Sequence, residues 1–358
     1  MKIAIDVQTT LGEKTGFGFY VENLVKQYKI LDRHDSFKLY APKNQNDLNA
    51  PKRFIWDQII FPNKAKRDRV DVLHQPCFSA PVIFPGKIVV TIHDLIAIKF
   101  GKDIPFFSRQ FFGRWMPFSY RYADKIIAIS EHTKKDIVNL LKIKQDKIKV
   151  IPLATGNEFQ KIQDKSTIDR VKHKYHIKGK YLLHIGTLNP RKNLLFLIKV
   201  FYQVAKTHRD LSLVITGKKG WYYQELFDMA DKLKLKDRII FTGYIDDCDK
   251  PVLYNGASLF VFPSIYEGFG LPPLEAMKCS IPVISSNTSS MPEVLGDAGI
   301  LLSPYDKNNW VRSINDVLSN AKLRKKLSSL SQKQANKFSW EKTAKETIKI
   351  YQQLYHEK

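Results

Sequence analysis

Short runs of β-branched and other apolar residues alternate with amphipathic stretches along the whole chain, and this alternation limits the folds open to it. The short runs predict strands, and the stretches between them predict helices. Strands that alternate with helices are typical of parallel sheets covered by helices. The predicted strands are residues 2–7, 37–40, 70–74, 87–93, 125–130 and 148–152 in the first half, and 181–186, 211–216, 239–242, 259–262 and 282–286 in the second. The predicted helices include residues 18–28, 131–141, 193–207, 222–234, 272–278 and 310–320.

A length of 358 residues, 44% of them hydrophobic, fits two α/β domains of ordinary size. The stretch that starts at Ala154 is polar, follows a proline and shows neither period. We therefore predict an N-terminal Rossmann-like domain at 1–153, a linker at 154–170 and a C-terminal Rossmann-like domain at 171–338. The last segment, 339–358, is predicted to be an amphipathic helix that is capped by Ser339 and packs back toward the N-terminal domain. Two doubly wound sheets imply a cleft lined by the loops at the carboxyl ends of the strands.

The chain is strongly basic, with a formal net charge of +23. Its partner is therefore expected to be anionic, which leaves nucleic acid, an acidic membrane surface or a phosphorylated small molecule. We find no recognition-helix, zinc or stacking-sheet signature, so no nucleic-acid partner is expected. The three cysteines are scattered, which excludes a disulfide framework and a zinc-ligand spacing. The chain opens on a predicted strand rather than a charged leader, and we expect a cytoplasmic protein.

The most specific segment follows the predicted strand that ends at Phe262. It holds a loop with two glycines and then a helix that begins at Pro272. The free amides of Gly270 and Leu271 at this helix start can bind a phosphate. Glu267 and Glu275 flank that position, and a carboxylate can accept two hydroxyls of a ribose or a sugar, so the pair suggests a nucleotide-sugar. The alternative is that Glu275 only favours the helix dipole and Glu267 is solvated.

Other polar residues also follow predicted strands. Arg191 and Lys192 lie on the strand-to-helix loop after Gly186, where two cations can clamp a diphosphate. The alternative is a solvated basic turn. His93 ends a run of apolar residues at a carboxyl edge, where ligands bind, although a lone histidine is often structural. Gly16 and Gly18 form a weak phosphate-loop signal, because the full dinucleotide fingerprint is absent.

The segment from Glu267 to Glu275 resembles the Glu-x7-Glu motif of retaining glycosyltransferases of family 4, which have the GT-B fold of two Rossmann-like domains that face each other across a cleft. The likeness extends over nearly the whole chain. The other motifs that carry it are Thr15-Gly-Phe-Gly-Phe-Tyr, Thr91-Ile-His-Asp, Ala128-Ile-Ser, Gly186-Thr-Leu-Asn-Pro-Arg-Lys-Asn, Phe241-Thr-Gly-Tyr-Ile, Ser289-Ser-Met-Pro-Glu-Val, Gly296-Asp-Ala-Gly and Phe338-Ser-Trp-Glu.

The resemblance implies a role for each matching residue. Glu267 and His93 would contact the donor sugar as catalytic residues, and Glu275 would hold the ribose of the nucleotide. Arg191 and Lys192 would bind the donor diphosphate. The early glycines would let the first domain approach the diphosphate when the cleft closes. The remaining nucleotide-binding residues that the motifs imply are Gly16, Gly18, Gly186, Thr187, Tyr244, Ile245, Phe269, Gly270 and Leu271. Some relatives carry arginine in place of Thr187, so one phosphate contact is either missing in this chain or supplied by Lys218.

The sequence therefore predicts a retaining hexosyltransferase that uses a nucleoside-diphosphate sugar and a saccharide acceptor. The family favours GDP-mannose, a lipid-linked acceptor, and cell-surface polysaccharide or lipopolysaccharide O-antigen synthesis. It also implies an enzyme with no cofactor and no metal; the acidic run at 246–249 is interpreted as helix capping. The alternatives are a sugar-nucleotide epimerase of GT-B architecture and, from the charge alone, a basic nucleic-acid-binding protein.

Residues 105–122 interleave aromatic residues with three arginines. Such a surface suits the membrane interface, where rings lie at headgroup level and cations meet anionic lipid. A peripheral position at the inner face of a membrane would follow. The alternative is that Phe107, Phe111, Trp115 and Phe118 form the buried face of a helix, because they recur every three to four residues.

Overall fold

The computed structural model describes residues 1–11, 16–31, 35–43, 48–101, 106–218, 220 and 223–357. Thr15, Pro105 and Tyr222, which belong to segments singled out above, lie outside the described residues. The chain divides into two compact units. Unit 1 consists of Met1–Ala154 together with Ser339–Lys358, and unit 2 consists of Thr155–Phe338.

Unit 1 contains a parallel sheet of six strands in the order β2-β1-β3-β4-β5-β6. The strands are β1 Lys2–Asp6, β2 Ser36–Tyr40, β3 Val72–Gln75, β4 Lys87–Ile92, β5 Lys125–Ala128 and β6 Ile148–Val150. The strand order reverses between β1 and β3, so the topological switch point of unit 1 lies between these two strands. The central strands β3 and β4 are buried on both faces, because helices cover the sheet on either side.

Several helices of unit 1 are short. Its helices are α1 Gly16–Leu31, α2 Ala50–Ile55, α3 Phe61–Arg67, α4 Ile96–Lys99, α5 Phe106–Gln110, α6 Met116–Ser119, α7 Glu131–Leu141 and, from the end of the chain, α16 Trp340–His356. A wide π-helical turn, Trp56–Ile60, joins α2 to α3, and a second one, Phe111–Trp115, joins α5 to α6. Each pair therefore forms one continuous helical segment.

The helix α16 is tied to the core of unit 1 by a chain of buried hydroxyl and imidazole groups. The hydroxyl of Tyr351 lies 2.9 Å from that of Tyr28 and 2.6 Å from Nδ1 of His74. Nε2 of His74 lies 2.9 Å from the hydroxyl of Thr91, which in turn lies 3.0 Å from that of Tyr20. Such satisfied buried networks specify one arrangement of the elements that they join. The predicted cap also forms, since Oγ of Ser339 accepts from the amide of Lys342.

Unit 2 contains a second parallel sheet, in the order β12-β11-β10-β7-β8-β9. Its strands are β7 Lys180–Ile185, β8 Leu211–Thr216, β9 Ile239–Gly243, β10 Leu259–Phe262, β11 Val283–Ser286 and β12 Ile300–Leu302. Its helices are α8 Lys165–Lys174, α9 Leu194–Thr207, α10 Gln224–Lys232, α11 Lys250–Gly256, α12 Leu271–Lys278, α13 Met291–Leu295, α14 Lys307–Ser319 and α15 Ala321–Ala335. The core is built on the apolar faces of α9 and α14 against the sheet. Trp310 of α14 is fully buried and packs edge-on against Phe196 of α9.

Two sequence-based interpretations need correction. The predicted linker at 154–170 lies in unit 2 from Thr155 onward, and α8 begins within it at Lys165. Residues 155–164 form neither helix nor strand. Asp164 caps α8 and Val171 buries its apolar side, so residues 165–170 belong to an exposed helix rather than to a linker.

The acidic run at 246–249 does not cap α11. The carboxylates of Asp246 and Asp249 each lie 2.6 Å from Nζ of Lys174, and Tyr175 donates to Asp249. The run therefore binds α8 to the loop before α11 by ion pairs and a hydrogen bond. Among the described residues, no helix combines the length and the apolar character needed to cross a membrane.

Candidate functional site

The strand order of unit 2 brings two chemistry-bearing loops side by side. β7 and β10 are neighbours in the sheet, although two strands separate them in the sequence, and the order reverses between them. The loops that follow Ile185 and Phe262 therefore leave the same edge next to each other. In open α/β sheets, this switch point is where ligands bind.

Two cationic side chains and one hydroxyl from these loops converge on one carboxylate oxygen. Oε1 of Glu267 lies 2.5 Å from Nζ of Lys192 and 2.7 Å from Nη1 of Arg191. The hydroxyl of Ser264 donates to the same oxygen at 2.6 Å. All three contacts are made to Oε1, and none of them uses Oε2. Glu267 therefore orients the two cations through Oε1.

The cations determine the charge state of this cluster. Burial raises the pKa of Glu267, but the attraction of Arg191 and Lys192 and the hydrogen bonds of Lys192 and Ser264 outweigh it and hold the pKa at about 2. Glu267 is therefore ionised at neutral pH. Lys192 is 5% exposed and lies over the ring of Phe262, which shields the pair from water.

Serine residues hold the second loop in place. The amide of Glu267 donates to Oγ of Ser289 at 3.0 Å, and Oγ of Ser290 donates to the carbonyls of Glu267 and Phe269. Across the switch point, the amide of Ile265 donates to the carbonyl of Arg191 at 2.8 Å. Ser289 and Ser290 were predicted only as part of a motif, and Ser264 was not predicted.

Gly186 directly follows β7, and the side chain of Lys192 lies close to its backbone. A Cβ at this position would lie 3.2 Å from Cε of Lys192 and 3.5 Å from Nε2 of His184. The sequence analysis also missed His184, which is fully buried and stacked on Phe262. Its Nδ1 bonds the carbonyl of Val261 and must carry the proton, so Nε2 is an acceptor, without a partner among the described residues.

The helix α12 begins at the end of the second loop. Gly270 precedes it with a φ of 114°, a conformation that glycine adopts without strain. Pro272 and Pro273 occupy the first turn, where a missing N–H costs nothing. Phe269 is buried and packs edge-on against Phe338, and Leu271 is half-buried. The predicted helix start is therefore present, one residue earlier than expected.

Glu275 belongs to a separate group of contacts on α12. Its Oε2 accepts from the hydroxyl of the buried Tyr254 at 2.8 Å. Burial raises the pKa of Glu275 above its ordinary value, although Lys250 and the hydroxyl of Tyr254 act against this shift. Glu275 is thus held by a hydrogen bond from α11, whereas Glu267 is held by the two cations.

Three further predicted residues lie on neighbouring loops. Thr187 is exposed beside Leu188, whose amide donates to the carbonyl of Lys218. Nζ of Lys218 lies 5.2 Å from the ring centre of Tyr244, a half-exposed residue that follows β9. Ile245 is buried next to it. Lys218 therefore lies on the loop after β8, the strand next to β7, and beside the loop that carries Thr187.

His93 lies in unit 1, directly after β4. Its Nε2 donates to the carbonyl of Pro76 at 2.9 Å, which leaves the lone pair of Nδ1 as an acceptor. The rings of Phe17 and Tyr20 pack on it at 4.7 and 4.9 Å, and burial lowers its pKa to about 4. His93 is therefore neutral and suited to accept a hydrogen bond from a hydroxyl.

Gly16 and Gly18 were expected to form a phosphate loop at the start of a helix over residues 18–28, but both belong to the first turn of α1. Gly18 is buried, and a Cβ at Gly16 would meet no atom within 4 Å. The helix therefore begins at Gly16, two residues before the predicted start at residue 18.

In unit 2 the arrangement can bind an anion and hydroxyl groups together. Arg191, Lys192 and the helix start at Leu271 supply positive charge and N–H groups, and two carboxylates supply acceptors. Within the described residues, no three His, Cys, Asp or Glu side chains are grouped as metal ligands would be.

Comparisons with known families cover most of the chain. Residues 165–334 match the family model described as glycosyl transferases group 1, and residues 32–155 match that of glycosyltransferase family 4. The O-antigen chain mannosyltransferase B of Escherichia coli is 29% identical over 99% of this chain and 100% of its own length. The serotype-specific mannosyltransferase WbdA of Escherichia coli is 32% identical, over 75% of this chain but only 34% of that protein.

Solved structures of low identity share the fold over the full length. A sucrose-phosphate synthase from Thermosynechococcus elongatus has a TM-score of 0.80 at 19% identity and covers 100% of both chains. The Anabaena protein HepE in complex with UDP and glucose has a TM-score of 0.76 at 17% identity, over 98% of this chain and 99% of its own. WaaG, a glycosyltransferase involved in lipopolysaccharide biosynthesis, has a TM-score of 0.75 at 14% identity, over 97% and 99%. Together with the two parallel sheets, these likenesses confirm the predicted GT-B fold.

Proposed function

This chain belongs to the group 1 glycosyltransferases of family 4, and from that premise we propose that it transfers mannose from GDP-mannose to a saccharide acceptor. The observation that carries the proposal is the convergence of Arg191, Lys192 and Glu267 at the switch point of unit 2. Relatives named as O-antigen mannosyltransferases support mannose as the sugar and an O-antigen saccharide as the product.

Arg191 and Lys192 bind the diphosphate of the donor in this proposal. Glycosyl transfer breaks the bond between the sugar carbon and the diphosphate, so negative charge develops on the departing oxygens. Two cations and the amides at Gly270 and Leu271 stabilise that charge, and they are already oriented before the donor binds. Glu267 remains between the cations as a fixed anion, which holds their side chains apart and in place.

The hydroxyl groups of the donor have separate acceptors. Oε2 of Glu267 and Nδ1 of the neutral His93 accept from the sugar, and the carboxylate of Glu275 accepts from the ribose. Tyr244, Ile245 and Phe269 line the nucleotide, with Gly186 and Thr187 beside the diphosphate. The acceptor oxygen attacks from the side of the leaving group, which retains the configuration at the sugar carbon.

The acceptor is proposed to be a lipid-linked saccharide at the inner face of a membrane, and the reaction needs no metal. A thermal-shift panel of GDP, UDP and dTDP tests the donor first. A ligand present at about 100 times its Kd stabilises the fold by about 2.7 kcal/mol. For a domain the size of unit 2, this raises the melting temperature by roughly 5–11 °C. We expect GDP to give the largest rise, and an equal or larger rise with UDP would overturn GDP-mannose.

Turnover with GDP-mannose and a saccharide acceptor tests the reaction itself. The product is expected to keep the anomeric configuration of the donor by NMR, and the rate to be the same with and without EDTA. Conversion of the donor in the absence of any acceptor would indicate an epimerase instead. Inversion at the sugar carbon would contradict the proposed path of the acceptor.

A further inference from the structure

Two helical segments of unit 1 expose large apolar side chains to solvent. Phe107 is 74% exposed and Phe106 is 59% exposed, so the interpretation of residues 105–122 as the buried face of a helix is wrong for this part. Phe118 is also exposed, and of the four residues in that interpretation only Phe111 is buried. The exposed apolar residues of the two segments and the adjoining loop are Phe54, Ile55, Ile59, Ile60, Ile83, Phe106, Phe107, Phe118 and Tyr122.

Direct contacts join the two segments. The ring of Phe54 on α2 lies 4.9 Å from that of Trp115, which lies 5.8 Å from that of Phe118. Phe118 in turn lies 5.7 Å from Tyr122. Gln58 bonds the amide of Val82 and the carbonyl of Ala80, which places Ile83 beside the first segment. Exposed apolar residues that adjoin in this way are rare on a monomer unless they contact something.

The exposed charged side chains within these segments have one sign. Lys52, Arg109, Arg114 and Arg121 are exposed within the two segments, as are Lys66 and Arg67 at the end of the first. Residues 50–67, 79–86 and 106–122 contain a single acidic residue, Asp57. Asp57 is fully buried and paired with Arg53, so it adds no negative charge to the surface. We call the exposed apolar residues together with these six cations the aromatic–basic surface.

We propose that the aromatic–basic surface docks on an anionic lipid bilayer. Aromatic and isoleucine side chains enter the interface between headgroups and acyl chains, and arginines meet the lipid phosphates. A second copy of the chain fits less well, because the two basic surfaces would face each other. The contact uses no residue assigned to donor binding, so it holds or fails independently of the proposed transferase reaction.

Sedimentation with lipid vesicles tests this proposal without donor or acceptor. The vesicles contain phosphatidylcholine alone or a mixture with phosphatidylglycerol, at about 0.1 M and about 1 M salt, where the Debye length falls from about 10 Å to about 3 Å. We expect binding to the mixed vesicles only, and weaker binding at high salt. R109Q/R114Q is expected to weaken it by about fivefold for each arginine, and F106S/F107S by at least about tenfold.

Matched variants on unit 2 control for a general loss of charge or apolar surface. Tyr305 is 71% exposed, and the consecutive residues Lys325 and Lys326 are also exposed. Y305S and K325Q/K326Q should therefore bind the vesicles as the wild type does. All variants should melt within about 2 °C of the wild type, because the changed side chains are at the surface.

Three results would overturn the proposal. The first is wild-type binding to mixed vesicles no stronger than to phosphatidylcholine alone. The second is equal binding by the wild type, R109Q/R114Q and F106S/F107S. The third is a dimer in sedimentation velocity that F106S/F107S dissociates while no vesicle binding occurs, which would assign the surface to a second copy.

Discussion

Replacing Lys192 by alanine separates the binding role of the cation pair from its structural role. Nζ of Lys192 is nearly buried and lies 2.5 Å from Oε1 of Glu267. The variant leaves Glu267 with Arg191 and Ser264 as partners, so the charge is not stranded. The loss in stability is therefore that of one charged hydrogen bond, about 1.5–3 kcal/mol. For a domain the size of unit 2 this lowers the melting temperature by roughly 3–12 °C.

The effect on the rate is larger if Lys192 contacts the departing diphosphate. Removal of one donor from a charge-stabilising site costs about 10²–10³ in kcat, or about 2.7–4 kcal/mol at 1.36 kcal/mol for each tenfold change. We expect this loss in kcat for K192A, because the charge on the diphosphate grows as the sugar bond breaks. The affinity for free GDP should fall as well, since the ground state already carries charge.

Steady-state kinetics with GDP-mannose, together with thermal melting, measure both effects. K199A is the control, because Lys199 is exposed on α9 seven residues along the same chain segment. It should keep kcat within about twofold and the melting temperature within about 2 °C, as surface substitutions do. A K192A enzyme with a lowered melting temperature but near-normal kcat would show that Lys192 only supports Glu267, and the reasoning would be refuted.

Three further outcomes follow from the same contacts. The pKa of Glu267 is about 2 in the folded chain and about 4.3 when unfolded, so its contribution to stability is complete above about pH 5 and is lost as the pH falls through the folded value. In urea unfolding, the free energy of unfolding of the wild type should fall by about 1–2 kcal/mol more than that of E267Q between pH 6 and pH 3. Parallel dependence of the two unfolding free energies on pH would disprove the ionised pair. Y254F removes the hydroxyl that donates to Glu275; the KM for the donor should rise about three- to tenfold with little change in kcat, whereas a change in kcat alone would exclude Glu275 from ground-state binding. G270A places a Cβ at a φ of 114°, against Cε of Met291; calorimetry should show a loss of about 1–3 kcal/mol that M291A does not rescue, and a full rescue would mean that steric contact rather than backbone strain is responsible.

The strands at the centre of each sheet were predictable because burial on both faces leaves a clear signal. Each predicted strand is present within two residues of its expected ends. β12 was missed, since it has three residues and lies at the edge of the sheet. The segment from 50 to 67 was also missed, because its exposed Ile59 and Ile60 break the helical pattern of one apolar face.

The candidate site was predictable where charge and loop position agree. Arg191, Lys192 and Glu267 follow strands that the reversal of the sheet order makes neighbours, and the family motifs supplied that order. Ser264 and His184 were not predictable, because a serine in a loop and a histidine in a strand carry no distinctive spacing. Their roles depend on hydrogen bonds across the sheet, to Glu267 and to the carbonyl of Val261.

The hydrogen bonds of Tyr351 to Tyr28 and His74 have a consequence for how the polypeptide is made. Residues 155–338 are synthesised between the two pieces of unit 1, so the ribosome delivers a complete unit 2 while the unit that started earlier still lacks its last helix. A nascent chain stopped at Ala154 would lack the helix that packs on His74 and Tyr28, so this face of unit 1 would be open to water until α16 is made. The portion translated first is thus the one that matures last.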